Sequence, residues 1–471
     1  MAVALLVAAG AAAVRAVPAA GYPLWQDEVA SARIIIEPTI GAALERVTAT
    51  ESTPPLWYVL AWAVHHAGLP VEASRAIGVA AGAVLAGLVV LYGRRFLPLG
   101  AAALAGIATA LAGQLVLRGA ELRAYSLYAL AAFGFAWLLE RAAARPTSGR
   151  LAALAAVTTA GLLTHYFFAF VLLAGIAWLW GAERRLPHRG RVSAAAGAGI
   201  VPFLLWTPWL AEQIDHQRYA WIGDFSLLKT FAVYSSFAWN AGPLYVRDLV
   251  PIGPWDALVR TVVFALVVAG CAVLWRLGPR GRLAAILALV PVLLSAALWL
   301  TGENLFNTRN VIASAPFAAL GLATGFARLP GRWATAAGLA FMTVVVAGLV
   351  READLAPLPY DRLATALVSL GWQDGDRLAV FADPNEPAYL GSIYAFRGPV
   401  SWYLPGHPVL RFARGQPCRG AFAIAPGPRP SLEPVEAETT VAGTRVIRIR
   451  CRLGIDTRIG RDGGFVFLER G

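Results

Sequence analysis

Two adjacent carboxylates follow the first apolar segment of the chain. Asp27 and Glu28 end the sequence Tyr-Pro-Leu-Trp-Gln-Asp-Glu. An ionisable side chain at the edge of a membrane is costly unless it has a function or a partner. A carboxylate in this place could act as the general base that takes the proton of an attacking hydroxyl group. An ion pair with Arg33, or simple solvation, is the alternative.

Two further segments combine acids, a cation and phenols. The sequence Glu-Leu-Arg-Ala-Tyr places Glu121, Arg123 and Tyr125 beside a helix start, and Glu-Ser-Thr-Pro-Pro-Leu-Trp-Tyr runs from Glu51 to Tyr58. We predict substrate contacts from Glu121, Tyr125 and Tyr58. A lone arginine at a helix end can also snorkel towards the interface, and a proline pair can be a rigid connector.

A histidine and a late arginine complete the candidate residues. His165 and Tyr166 occupy the turn Thr-His-Tyr-Phe-Phe between two apolar segments. We predict that His165 and Tyr166 contact the substrate. A structural hydrogen bond is the alternative for His165, and an aromatic belt is the alternative for Tyr166. Arg309 precedes a late apolar segment, at the depth of lipid phosphates. Its planar guanidinium group suits bidentate phosphate binding.

The elements that must position these side chains are membrane spans. Apolar residues make up 58% of the 471 positions and charged residues 14%, against about 25% charged in a soluble domain. Runs of about 20 apolar residues predict about eleven transmembrane helices. They lie near 2–20, 73–93, 97–116, 125–140, 151–166, 167–181, 193–209, 257–275, 283–301, 310–327 and 333–350. The first run also resembles a signal peptide, and we interpret it as a retained helix. Residues 56–68 are too short to span, so we predict an interfacial helix with Trp57 and Tyr58 at headgroup depth.

The predicted fold class is an all-α polytopic membrane protein with a small α/β domain at its C-terminus. Residues 1–350 form the transmembrane domain, in which 21–72 are the first extracytoplasmic loop. Residues 351–471 are rich in Pro, Gly and charged residues and form the soluble domain. Within it, Arg-Leu-Ala-Val-Phe-Ala from position 377 and Ala-Phe-Ala-Ile-Ala from position 421 are typical of short buried strands.

The distribution of charge predicts the orientation of the spans. With residue 1 in the cytoplasm, every short inner loop is basic, as the positive-inside rule expects. All the candidate segments then lie on the outer side, together with the C-terminal domain. Cys418 and Cys451 can form a disulfide there, because that compartment is oxidising. The net charge of +12 does not indicate nucleic-acid binding, because the arginines are spread between the apolar runs.

A reaction on the outer side must proceed without cytoplasmic ATP or nucleotide sugars. The chain also lacks a Gly-x4-Gly-Lys-[Ser/Thr] phosphate loop. A sugar linked to a lipid phosphate meets both constraints. An acceptor hydroxyl would attack the anomeric carbon, and arginine or a bound Mg²⁺ or Mn²⁺ would stabilise the departing phosphate. A transporter or lipid flippase, a scaffold, and an acyl or phosphoryl transferase are the alternatives.

The order and spacing of these motifs resemble the GT-C glycosyltransferases. The nearest branch is the bacterial group related to protein O-mannosyltransferases and aminoarabinose transferases. The resemblance covers about residues 20–330 of the chain. It implies a GT-C helical fold in a bacterial inner membrane, a polyprenyl-phosphate sugar donor, and inversion at the anomeric carbon. The acceptor would be a glycan, a glycolipid or a protein.

The same resemblance implies roles for individual residues. Asp27 would be the catalytic base, and Arg309 and Arg123 would lie near the donor phosphate. Two positions depart from the family pattern: Thr53 stands where such proteins often have His, and Asn310 where Tyr often follows the late arginine. These departures leave the sugar, and any metal site that would use that His, open.

Overall fold

The computed structural model divides the chain into two units. One comprises Met1–Ala20 and Ile34–Leu355, and the other Gly21–Arg33 and Ala356–Gly471. The residues that the structure describes are 1–184, 186–216, 222, 233–234, 254–302, 305–353, 359–373, 376–382, 396–412, 421–426, 435–442, 444–449 and 464–470. The predicted disulfide partners Cys418 and Cys451 lie outside these ranges.

Apolar sequence gives the first unit an almost entirely helical structure. The α-helices of the whole chain are α1 (Ala2–Gly21), α2 (Gln26–Ile35), α3 (Ile40–Thr50), α4 (Leu56–His66), α5 (Arg75–Gly93), α6 (Leu99–Leu111), α7 (Gly113–Ala120), α8 (Tyr125–Ala144), α9 (Ser148–Thr164), α10 (Phe168–Ala177), α11 (Arg189–Ala198), α12 (Val201–Leu204), α13 (Thr207–Asp215), α14 (Pro254–Trp275), α15 (Pro279–Ala297), α16 (Ala315–Phe326), α17 (Gly331–Ala353), α18 (Tyr360–Ser369) and α19 (Ser401–Tyr403). Short 3₁₀ or π turns occupy Val71–Ser74, Trp178–Ala182, Leu298–Thr301, Ile312–Ser314 and Phe396–Val400.

Within the described part of the chain, six helical segments are long and apolar enough to cross a membrane. They are Ala2–Gly21, Val71–Gly93, Tyr125–Ala144, Ala257–Trp275, Pro279–Thr301 and Gly331–Val350. Two bent pairs raise the number to eight if each pair is a single span. These pairs are Leu99–Leu111 with Gly113–Ala120, at 51°, and Arg189–Leu204 with Thr207–Asp215, at 63°.

The remaining predicted spans are also helical, but they are shorter than the roughly 20 residues of a perpendicular crossing. They are Ser148–Thr164, Phe168–Ala182 and Ile312–Phe326. Every apolar segment predicted as a span therefore forms a helix. The polytopic helical fold class predicted from the sequence is confirmed.

A buried arginine stabilises the break between α6 and α7. Arg15 of α1 is fully buried, and its guanidinium group donates hydrogen bonds to the carbonyl oxygens of Ala110, at 2.9 Å, and Thr109, at 3.3 Å. The last carbonyls of a helix have no partner within it, so the guanidinium group satisfies them. Gly82 leaves room for this side chain, because a Cβ there would lie 2.4 Å from the Arg15 Nε.

Glycines allow several helices to approach closely. A Cβ on Gly78 of α5 would lie 2.5 Å from the carbonyl oxygen of Gly119 in α7. A Cβ on Gly270 of α14 would lie 2.1 Å from the carbonyl oxygen of Gly321 in α16. Small residues at helix crossings are typical of packing in membranes, where van der Waals contact drives association.

The second unit contains a mixed sheet. Its strands are β1 (Arg377–Ala382), β2 (Leu410–Phe412), β3 (Ala421–Pro426), β4 (Val435–Val441), β5 (Thr444–Ile449) and β6 (Gly464–Arg470). Their order is β2-β6-β1-β3-β5-β4, in which β1 and β3 are parallel and the other neighbours antiparallel. Leu363 and Leu367 of α18 pack with Leu378, Phe422 and Val446 of the sheet. The predicted strands β1 and β3 are confirmed, and with them the α/β character of this unit.

The segment that follows α1 packs within the second unit. The backbone N–H of Leu24 donates to the Tyr403 hydroxyl at 2.7 Å. Arg33 of α2 donates to the Ser401 hydroxyl and to the Pro408 carbonyl, both at 3.2 Å. These contacts assign residues 21–33, predicted as part of the first loop, to the unit that contains the sheet.

Candidate functional site

A buried polar cluster lies in the first unit, around the start of α8. Arg123 stands in the turn before this helix, and its Nη1 donates to Glu51 Oε2 at 2.9 Å and to the Tyr58 hydroxyl at 3.3 Å. Glu51 follows α3 directly. Arg123 and Glu51 are both buried, and desolvation raises the pKa of the Tyr58 phenol, which stays neutral. Tyr58 is therefore enclosed by protein, and its predicted position at headgroup depth stays a prediction.

His165 lies in the turn between α9 and α10 and joins this cluster. Its ring stacks on Tyr128 of α8 with centroids 4.5 Å apart, and its Nδ1 accepts the backbone N–H of Phe167 at 3.3 Å. Burial, followed by the charges of Arg123 and Arg309, lowers the pKa of the imidazole well below its usual range. His165 is therefore neutral, and the Phe167 hydrogen bond assigns its proton to Nε2.

Arg309 reaches the same cluster from the turn before α16. This residue is 5% exposed, and its guanidinium carbon lies 6.0 Å from the centroid of the Tyr125 ring. Asn307 holds the turn by accepting the Arg309 backbone N–H at 3.1 Å, and the Tyr128 hydroxyl donates to the Asn310 carbonyl at 3.3 Å. Two buried arginines that are distant in sequence thus both lower the pKa of the His165 imidazole.

Tyr166 faces a different set of partners. Its hydroxyl accepts a hydrogen bond from Trp206 Nε1 at 2.9 Å and donates to Gln213 Oε1. The Gln213 amide donates to the Thr53 carbonyl at 3.3 Å, and the Thr53 hydroxyl contacts the Tyr58 hydroxyl at 3.0 Å. Through Gln213, Tyr166 therefore braces the loop that precedes α4, the helix of Tyr58.

Glu121 has an ion-pair partner of its own. Its Oε1 lies 2.6 Å from Arg118 Nη1, three residues away, and its backbone carbonyl accepts the N–H of Arg123 at 2.8 Å. Both contacts shape the turn before α8. The carboxylate of Glu121 thus pairs with Arg118, whereas its backbone carbonyl holds Arg123, and the substrate contact expected from Glu121 stays a prediction.

The two predicted catalytic carboxylates lie in the first turn of α2, in the second unit. Glu28 is 1% exposed, and its Oε2 accepts the backbone N–H of Trp25 at 3.3 Å. This bond is one half of a capping box, which holds the start of a helix. The Asp27 side chain is half-buried, and a carboxylate in the first turn is favoured by the helix dipole. The Glu28 carboxylate therefore helps to hold the start of α2, and the catalytic roles expected of Asp27 and Glu28 stay predictions.

The sequence predicted five members of the cluster, but not their partners; the five are Tyr58, Arg123, Tyr125, His165 and Arg309. Glu51, Tyr128 and Gln213 were not candidates. Tyr128 follows Tyr125 by three residues, on the same face of α8, and this spacing was a usable signal. Glu51 begins the motif that ends at Tyr58, in which the prolines and the tyrosine give the stronger signals. Gln213 gave no signal, because a single amide on a short helix is common.

Metal ions in proteins are held mainly by His, Cys, Asp and Glu side chains. In the described ranges, these residues form no group of three or more that could hold an ion. The Mg²⁺ or Mn²⁺ considered from the sequence stays a prediction without assigned ligands.

Comparison with known proteins identifies the fold. No family model and no curated protein matches the chain. Among solved structures, the crystal structure of ArnT from Cupriavidus metallidurans bound to undecaprenyl phosphate aligns over 94% of this chain and 97% of that one, with 13% sequence identity and a TM-score of 0.50. The chain has a GT-C fold. The resemblance stated from the motifs is confirmed at this level.

Two archaeal structures also match. The oligosaccharyltransferase of Archaeoglobus fulgidus in its apo form is 15% identical, with a TM-score of 0.48 over 77% of this chain. The oligosaccharyltransferase AglB from the same organism, with an inhibitory peptide and a dolichol-phosphate, is 13% identical, with a TM-score of 0.44 over 79% of this chain. The chain spans 58% of the length of each of these two proteins.

Proposed function

We propose that this chain is a membrane glycosyltransferase that transfers a sugar from a polyprenyl-phosphate donor to an extracytoplasmic acceptor. The observation that carries the proposal is the burial of Arg123 and Arg309 beside a neutral His165. Buried cations are costly, and a phosphate that enters the cluster would offset part of that cost. The guanidinium group binds phosphate through two parallel hydrogen bonds. The ArnT structure of the same fold, solved with undecaprenyl phosphate, supports this ligand class.

The neutral imidazole gives the cluster a hydrogen-bond donor without a third charge. With Nδ1 occupied by the Phe167 N–H, Nε2–H of His165 is the donor that faces a ligand. The phenols of Tyr58 and Tyr125 are additional polar contacts for the sugar. We propose that Arg123 and Arg309 bind the phosphate, and that these three side chains orient the sugar.

Asp27 is the proposed catalytic base. The acceptor hydroxyl gives its proton to the Asp27 carboxylate while its oxygen forms the new bond to the anomeric carbon. The bond from that carbon to the phosphate oxygen breaks, and its electron pair leaves with the phosphate. A single displacement of this kind inverts the anomeric configuration. The role requires Asp27 to reach the acceptor hydroxyl during turnover, which the next experiment tests.

The test uses purified protein in nanodiscs with a panel of radiolabelled polyprenyl-phosphate hexoses and pentoses. Asp27→Asn should lower sugar transfer by about 10²-fold or more, the usual range for loss of a general base. Glu45→Gln is the matched control, since Glu45 is an exposed carboxylate on α3 of the same loop. Wild-type turnover by Asp27→Asn would remove Asp27 from the mechanism. Failure of the wild type to transfer from any donor would overturn the function.

The proposed location is the inner membrane of a bacterium, with the site and the second unit on the extracytoplasmic side. The acceptor is a glycan, a glycolipid or a protein of the cell envelope. Labelling of single cysteines introduced at Glu45 and Arg94 tests the sidedness. The outer position should react with an impermeant reagent in intact cells, and the inner one only after permeabilisation.

A transporter or lipid flippase is the second candidate, and the bent helix pairs favour it. Broken helices at membrane depth are common at transporter substrate sites, and the chain has bends of 51° and 63°. The first bend, however, is filled by Arg15, which donates to the carbonyls at the end of α6. Movement of a labelled lipid-linked sugar across proteoliposomes without transfer to an acceptor would support the transporter.

A further inference from the structure

A cavity of about 340 Å³ lies at the opposite end of α8 from the polar cluster. The cluster surrounds Tyr125 at the start of this helix, and the cavity surrounds the last turns. The helix has 20 residues, so the two places are about 30 Å apart at 1.5 Å per residue. The cavity is lined by Trp137, Glu140 and four arginines, which are Arg95, Arg141, Arg150 and Arg280.

Two of the arginines are held by the one carboxylate of the cavity. Arg95 Nη1 lies 2.5 Å from Glu140 Oε2, and Arg280 Nε lies 3.1 Å from Glu140 Oε1. Glu140 is 6% exposed, and the guanidinium group of Arg95 also lies 5.7 Å from the centroid of the Trp137 ring. This carboxylate therefore neutralises one charge and fixes two guanidinium groups in place.

The other two arginines carry the excess charge. Arg150 Nη1 donates to the carbonyls of Arg141, at 3.1 Å, and Arg145, at 3.0 Å, which fix its position without neutralising it. Within the part of the chain that the structure describes, neither Arg141 nor Arg150 has a carboxylate at ion-pair distance. Four guanidinium groups thus share a single acid in a pre-formed cavity.

We propose that this cavity binds the phosphate of an anionic membrane phospholipid. Basic pockets between the ends of membrane helices bind anionic headgroups on the cytoplasmic side, the side to which charge assigns these loops. Arginine provides the planar donors that phosphate accepts, and Trp137 provides an amphipathic wall for the glycerol of the lipid. The proposal does not depend on the proposed function, because no residue of the polar cluster takes part.

The test compares two double variants of the full chain in detergent. Arg141→Gln with Arg150→Gln removes two charges from the cavity while leaving the Glu140 pairs intact. Arg94→Gln with Arg276→Gln is the matched control, since both residues are exposed and neither lines the cavity. The unfolding temperature is measured during titration with phosphatidylglycerol, phosphatidylcholine or inorganic phosphate.

Phosphatidylglycerol should stabilise the wild type and the control equally. Its apparent affinity should fall about 30-fold in the cavity variant, as expected for the loss of two arginines near a lipid surface. An equal fall in both variants would show a general charge effect and overturn the site. Stabilisation of the wild type by phosphatidylcholine as strong as that by phosphatidylglycerol would overturn the preference for anionic lipid. Inorganic phosphate that binds as tightly as phosphatidylglycerol would show a free-phosphate site and overturn the lipid assignment.

Discussion

Replacement of Glu51 by Gln should weaken the fold and strengthen donor binding. Glu51 Oε2 and Arg123 Nη1 are 2.9 Å apart and both residues are buried. At an effective dielectric constant of about 20, two unit charges at this distance attract each other by about 6 kcal/mol. Removing one partner of a buried pair typically costs about 3–5 kcal/mol. Because Gln keeps the hydrogen-bond acceptor, we expect a loss of about 3 kcal/mol in the free energy of unfolding.

The affinity for the lipid phosphate should rise in the same variant, although its fold becomes less stable. In Glu51→Gln the charge of Arg123 has lost its counter-ion, and a polyprenyl phosphate would replace it. We therefore expect the dissociation constant of the lipid phosphate to fall about tenfold, equivalent to about 1.4 kcal/mol. Arg123→Gln should instead raise that constant, since it removes the guanidinium group itself.

The assay is denaturant unfolding of each variant, with and without polyprenyl phosphate. Glu37→Gln is the control, because Glu37 pairs with Arg46 at 2.6 Å on the same loop and both side chains are partly exposed. Such pairs contribute about 0–1 kcal/mol, so this variant should resemble the wild type. Weaker lipid binding by Glu51→Gln, to the degree seen for Arg123→Gln, would refute the counter-ion reasoning. Glu51 would then be a ligand contact.

Three further perturbations test the cluster and the helix packing. Arg309→Gln should raise the Michaelis constant for the lipid-linked sugar about tenfold while changing kcat less; an unchanged constant would count against a phosphate contact. Burial lowers the pKa of His165 from 6.5 to about 3, so the neutral ring stabilises the fold above pH 6.5, and this stability is lost as the pH falls towards 3. His165→Gln should therefore flatten the fall of unfolding temperature below pH 6.5; an unchanged slope would assign that fall to other groups. Gly78→Ala should cost about 1–3 kcal/mol, because its Cβ would lie 2.5 Å from a backbone oxygen of α7, whereas Gly10→Ala meets nothing within 4 Å and should be neutral by thermal unfolding in detergent.

Hydropathy was sufficient to predict which segments are helical. A window of about 20 residues averages over local detail, so it found the spans but not their breaks. The bend after Leu111 depends on Arg15, a residue nearly a hundred positions away that donates to carbonyls at the end of α6. Such an interaction between distant helices has no signature within the bent segment itself. The sequence therefore did not predict the bend.

The sequence motifs predicted many residues of the polar cluster because these residues lie where apolar segments end. Arg123, His165 and Arg309 each stand in a turn at the end of an apolar segment, and the predicted orientation put these turns on one side. The ion pair between Arg123 and Glu51 was not predicted, since either residue has several acids or cations within reach in sequence. The packing of residues 21–33 against the sheet unit was not predicted either. Those contacts come from Leu24 and Arg33, and neither residue indicates in the sequence that it contacts the C-terminal region.

The partners of a buried arginine indicate what it does in this fold. Arg15 donates to backbone carbonyls that lack a helical partner because α6 ends there. Its guanidinium group therefore stabilises the break between the two helices. Arg123 and Arg309 are surrounded by a carboxylate, phenols and an imidazole, groups that reorient and accept a different partner at low cost. A phosphate can enter the second environment without breaking the backbone structure, whereas it cannot enter the first. The polar cluster at the start of α8 is thus a place where buried charge is compatible with ligand binding as well as with folding.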